Sequence, residues 1–204
     1  MDTFLQLNRE KLRPVFIRLS LTSLGFVSIV LLIAYVTGNL PNGQLLLYIL
    51  LTTGIVFPIF IMLLGYIVWL ISRNARQRAF YNVPFNQIET IGFHKTYSGH
   101  NLKWSFTDEL KKGHLNGFTL TMDLSKEKGH TLEFVAPTEW KKLDKTEYRR
   151  LTEKFQVHNI EFRIGSLVKQ YDIKQSTLHT VSDIKQDLEY FTTLLREEGF
   201  IPKS

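Results

Sequence analysis

Fifty-four consecutive residues, Leu19 to Ser72, contain no Asp, Glu, Lys, Arg or His. No other feature constrains the fold as strongly. A helix that is hydrophobic all round needs an apolar surrounding, and two of them in sequence point to lipid rather than to a soluble core. The run divides at "GNLPNGQ", Gly38 to Gln44, whose glycines, asparagines and proline disfavour a continuing helix. Leu19 to Thr37 is one apolar segment of 19 residues, and Leu45 to Ile71 is another of 27. A bilayer core of about 30 Å takes roughly 20 helical residues at about 1.5 Å each. Both segments qualify as transmembrane helices, so a cleaved leader is set aside. Pro58 removes a helix hydrogen bond and predicts a bend in the second. Thr52, Thr53 and Gly54 are small residues that suit close helix packing.

The flanks give an orientation. Arg9, Lys11, Arg13 and Arg18 precede the first span, Arg73, Arg76 and Arg78 follow the second, and the intervening turn is uncharged. The positive-inside bias then predicts both termini in the cytoplasm and 38–44 as an external turn, in an inner membrane. Trp69 and Tyr66 are expected at the inner interface, and Tyr35 and Tyr48 at the outer one. The absence of cysteine agrees with a reducing compartment.

The expected organisation is therefore a cytoplasmic segment 1–18, transmembrane helices 19–37 and 45–72, and a cytoplasmic domain 73–204. Without the four bases and two acids before Leu19, the domain carries 21 Lys and Arg against 17 Asp and Glu, a mild +4. Period-two alternation predicts strands at "NLKWSFT" (Leu102, Trp104, Phe106), "GFTLTMDL" (Phe118, Leu120, Met122, Leu124) and "HTLEFVA". Asn116-Gly117 is a tight-turn signal, and Ser125 to His130 joins two strands as a hairpin. "QIETIGFH" and "IEFRI" (Ile160, Phe162, Ile164) read as further strands, although Ile88 and Ile91 do not alternate. Tyr148, Leu151 and Phe155 give a helix over 146–155 with Thr146 as cap, and "PTEWKKL" before it reads as a short helical turn. The last helix has a Thr180/Asp183 capping box and a stripe of Ile184, Leu188, Phe191 and Leu195. Gly199 is placed for a left-handed terminus. The fold class is an α+β membrane protein: a two-helix transmembrane hairpin, then an antiparallel-sheet domain closed by a C-terminal helix.

Two apolar spans, a basic junction, "VPFNQIETIGF" and antiparallel strands resemble bacterial membrane-anchored proteins with a pleckstrin-homology-like domain. In that group a Val/Ile-Pro-Phe/Tyr-x-x-Ile-x-x-Ile element opens the sheet, and Val83, Pro84, Phe85, Ile88 and Ile91 match it. The resemblance implies a binding domain with no shared catalytic residues.

Chemical signals are sparse. Among His94, His100, His114, His130, His158 and His179 no pair has helical ligand spacing, and no thiol is present, so no metal or cofactor is expected. The histidines read as solvated turn residues, with His114 and His130 the one pair that hairpins could bring together. "TYSGH" places Ser98 near His100 outside a nucleophile-elbow context. Phosphate-cradling glycine motifs are absent. Asp108 and Glu109 read as surface. Basic residues Lys141, Lys142, Lys145, Arg149 and Arg150, with Arg73, Arg76 and Arg78, are candidate membrane-surface contacts, diluted by Glu139, Asp144, Glu147 and Glu153. Modest net charge speaks against nucleic acid. The expectation is a non-enzymatic protein that binds a protein or lipid partner at the inner leaflet. The alternatives are a small subunit of a transport or channel complex, or a membrane-bound enzyme around His94, Ser98 and His100.

Overall fold

A computed structural model describes residues 3–99, 106–125, 127–139, 143–174 and 180–203. The chain forms two compact units: Met1–Ser72 with Gly99–Asp108, and Arg73–Ser98 with Glu109–Ser204.

The first unit is built on two long apolar helices. Helix α1, Phe4–Val36, starts well before the expected span at Leu19 because Thr3 and Gln6 form a capping box. The second begins as α2, Gly43–Leu51, passes through a π-helical turn, Thr52–Val56, and continues as α3, Phe57–Tyr81. It is longer at both ends than the expected 45–72. The wide turn has a local cause in Pro58. A proline ring clashes with the carbonyl four residues before it, and an inserted residue relieves the clash. In the wide register Phe57 N–H donates to Thr52 O. The carbonyl that then lacks a donor, because proline has none, is that of Thr53. Ser23 Oγ on α1 lies 2.8 Å from Thr53 O, 2.8 Å from Leu19 O and 3.1 Å from Ser20 O, so its one proton can be directed across to Thr53 or back to its own helix. Gly54 is buried, and a Cβ there would stand 3.3 Å from Leu24 Cδ2. Close approach is seen at Gly54, and Thr53 meets α1 through its carbonyl, whereas Thr52 is exposed.

In the second unit a six-stranded antiparallel sheet has the order β1-β2-β3-β4-β6-β5. The strands are β1 His94–Ser98, β2 Asp108–Leu115, β3 Phe118–Leu124, β4 Thr131–Pro137, β5 Ile160–Arg163 and β6 Ser166–Asp172. Asn116 and Gly117 both have positive φ, 48° and 80°, between the paired residues Leu115 and Phe118, as a primed hairpin turn requires. Phe118, Leu120 and Met122 face the core, as alternation predicts. The β3–β4 hairpin also follows the expectation. Helix α4, Lys145–Gln156, is capped by Asp144 rather than Thr146: Glu147 N–H donates to Asp144 Oδ1 at 2.7 Å. Helix α5, Val181–Glu197, has the expected capping box, its stripe from Ile184 to Leu195 is buried, and Gly199 has φ 76°.

Several expectations are corrected. "QIETIGFH" is not a strand: Gln87 to Ile91 belong to a 3-10 helix, Phe85–Ile91, Gly92 and Phe93 follow it outside any element, and only His94 enters β1. Phe85, Ile88 and Ile91 recur every third residue, which matches three residues per turn. Of "NLKWSFT", 101–105 lie outside the described residues, and Phe106 and Thr107 belong to no strand. Pro137 ends β4 and Thr138 bridges to Pro202, so "PTEWKKL" does not open as a helix; 140–142 lie outside the described residues. Ile164 does not share the inner face with Ile160 and Phe162. It stands 95% exposed in the β5–β6 turn, where Gly165 takes φ 70°. Strand β6 has no counterpart in the sequence reading, since Lys169 interrupts its apolar face.

Candidate interaction surfaces

The arginines after the second span do not form one surface. Arg78 is exposed and Arg73 half-buried, but Arg76 is only 5% exposed, with Nε donating to Asp123 Oδ1 on β3 at 2.6 Å. Arg76 is therefore held in a buried ion pair with the sheet. On α4, Lys145, Arg149 and Arg150 are exposed. Arg149 pairs with Glu153 at 2.9 Å, and Arg150 and Lys154 converge on Glu198 at 2.7 and 2.6 Å. Those two cations, donating hydrogen bonds, hold the Glu198 carboxyl down to about 2. The acids that dilute the cluster in sequence are partly joined by one from the end of α5. Lys141 and Lys142 lie outside the described residues.

The apolar side chains of α4 do form a surface. Tyr148 is half exposed, and its ring centroid lies 5.5 Å from that of Phe162 on β5. Phe155 holds Phe162 from below at 5.2 Å. A groove of about 1020 Å³ opens beside them, with Leu143, Ile164, Leu167 and Phe200 among its described walls. A second hollow of about 570 Å³ continues along Thr152, Gln156 and Ile160. Tyr148, Glu161 and Phe162 line both. β5 is the last strand of the sheet, so one wall of this groove is an edge strand. The walls mix apolar side chains with charged ones, among them Glu139, Asp144, Lys145 and Arg163.

Two polar clusters brace the same region. Arg163 makes a two-pronged contact with Glu133, at 2.7 and 2.6 Å, and reaches Glu161 at 3.1 Å. Burial pushes the Glu133 carboxyl up, but hydrogen bonds from Arg163 and Ser125 and nearby positive charge outweigh it and hold it low. On the core side, buried Lys169 donates to His158 O at 2.8 Å and meets Asp187 at 3.0 Å, while Tyr171 Oη donates to Asp187 Oδ2 at 2.7 Å. Burial pushes the Tyr171 phenol well up, and the Asp187 carboxylate adds to this. This cluster joins α5 to β6. Its only trace in the sequence is a lysine and a tyrosine two residues apart on an otherwise apolar strand face.

The histidines scatter. His114 and His130 sit at opposite ends of the β3 neighbourhood, one on Thr119 at 3.0 Å and the other near Asp172 at 3.7 Å. His94 and Ser98 are four residues apart on one strand, roughly 13 Å at about 3.3 Å per residue. His100 and His179 lie outside the described residues. Among the described residues no three His, Asp or Glu side chains converge as for a metal ion. Trp69, expected at the inner interface, packs against protein within the first unit. It is 5% exposed, and its indole N–H donates to Thr107 O at 3.0 Å. Comparison with protein families, with characterised proteins and with solved structures finds no match to this chain.

Proposed function

We propose that this is a membrane-anchored, non-catalytic protein whose sheet domain binds a protein or lipid partner at the inner leaflet. One observation carries the anchor. Leu21, Phe26, Ile29, Leu32 and Ile33 on α1, and Ile55, Ile59, Phe60 and Leu63 on the second helix, all face outward. None of the most apolar window of α1 is buried, and only 11% of that of the second helix. A water-exposed surface of that size is unstable, and lipid satisfies it. Basic residues at both cytoplasmic flanks support the orientation with both termini inside. The α4–β5 groove supports a binding role; the pleckstrin-homology-like reading rests on the sheet and its closing helix alone, since the Phe85–Ile91 element is a 3-10 helix and not an opening strand.

Protease added to intact cells tests the topology: the sheet domain is expected to survive until the membrane is opened, and its digestion in sealed cells overturns the reading. A photo-crosslinking residue at Ile164 or Tyr148 tests the groove. It is expected to capture a discrete protein or lipid in native membranes that the same residue at Lys174 does not. Equal labelling from both places removes the groove from the proposal.

A further inference from the structure

Phe106 and Thr107 lie on the segment joining β1 to β2, and they pack against both helices of the first unit. Thr107 is buried. Its N–H donates to Asn8 Oδ1 on α1 at 2.7 Å, and its carbonyl accepts from Trp69 Nε1 on α3 at 3.0 Å. The two backbone groups of one residue are thus bound by one side chain from each helix. Asn8 is fully buried, and Nδ2 donates to Phe4 O at 3.2 Å, which fixes its amide orientation. Phe106 enters a notch beside Phe4, ring centroids 4.9 Å apart. The notch exists because residue 65 is glycine: a Cβ there would stand 2.8 Å from Phe106 Cε2. Lys11 adds a bond to Gly99 O at the start of the segment.

These contacts share one requirement. An N–H···O bond works over about 2.7–3.2 Å and weakens steeply when misaligned. Asn8 and Trp69 can hold Thr107 together only at one spacing of α1 and α3. The same spacing is set again at Ser23, Leu24, Thr53 and Gly54, roughly 22 Å further along the helix at about 1.5 Å per residue. Linkage then makes the effect reciprocal: packing that favours a docked Thr107 is favoured by it to the same degree. We propose that Phe106 and Thr107 form a latch that reads the packing of the two apolar helices and ties it to the connection between β1 and β2.

The test uses the full chain in detergent micelles, with two arms. Gly54→Leu crowds Leu24 and is expected to speed hydrogen exchange at the Thr107 amide at least tenfold, leaving the Phe134 amide unchanged. In the reverse arm Asn8→Leu removes the catch. Spin labels on Leu21→Cys and Val56→Cys, clean because the chain has no cysteine, are expected to show a broadened helix-to-helix distance. Trp69→Phe, which keeps a ring and removes only the donor, repeats this arm if Asn8→Leu does not fold. The latch is overturned if Thr107 exchange is unmoved in Gly54→Leu while the labels shift. It is equally overturned if the label distance is unchanged in a variant whose Thr107 amide has lost protection.

Discussion

The helix pair and the sheet domain use apolar side chains in opposite ways. On α1, Phe26, Leu32 and Ile33 face outward, whereas on the sheet Phe118, Leu120, Met122 and Phe134 have no exposed surface at all. Inside each unit the polar groups are reversed too. The helix pair is joined by Ser23, Asn8 and Trp69 bonding to backbone groups. The sheet domain keeps most of its charges at the rim and pairs those it buries, as with Glu133, Arg76 and Lys169. In the lipid setting proposed for the helix pair there is no hydrophobic drive between helices, so small residues and hydrogen bonds would decide the packing. In water the apolar core decides it.

That contrast is sharpest in core truncation. Phe134→Ala, which removes a ring stacked edge-on to Phe93 and Tyr171, is expected to cost the sheet domain about 3–5 kcal/mol in chemical denaturation. Ile33→Ala on the outer face of α1 should leave that midpoint unchanged; a comparable loss would mean that Ile33 is covered by protein. Next comes Arg163→Ala, which leaves buried Glu133 without its two-pronged partner. A loss of about 2 kcal/mol is expected by the same measurement, and a neutral result would show that water replaces the guanidinium.

Glu198 gives a smaller effect confined to acid. Its folded carboxyl sits near 2, below the ordinary value of 4.5. The stabilisation is therefore complete above about 4.5 and disappears as pH falls toward 2. Arg150 and Lys154 are exposed, so solvent screening weakens it. Melting temperatures between pH 2 and 5 should fall less steeply for Glu198→Gln than for the parent, and parallel curves would remove the clamp from the account. The smallest change is Ser23→Ala in the helix pair. Losing the bond to Thr53 O is expected to cost about 0.6 kcal/mol in a helix-association assay, the scale of a typical interhelical hydrogen bond. A loss several times larger would make Ser23 the main tie between the helices.

Periodicity revealed the elements whose partners are local. The apolar helices, β3, β4, α4, α5 and the Asn116-Gly117 turn carry their own patterns, because each meets a uniform surrounding along one face. β6 escaped because Lys169 sits on its buried face, where Asp187 from a distant helix neutralises it. The 3-10 helix at Phe85 was legible in its spacing of three, yet it resembled an imperfect strand. The groove could not be read at all: Tyr148 and Phe162 look like two core stripes until α4 and β5 are placed side by side.

The sequence by itself determined that two long apolar helices precede an antiparallel sheet with a closing helix. It does so because charge exclusion and hydrophobic period act along the chain. Only the tertiary structure decided that Arg76 is buried against Asp123, that the Trp69 indole donates to Thr107, and that Glu198 gathers Arg150 and Lys154. Each of these depends on a partner between 38 and 48 positions away. Pairing in space at that separation leaves no period in the sequence to read.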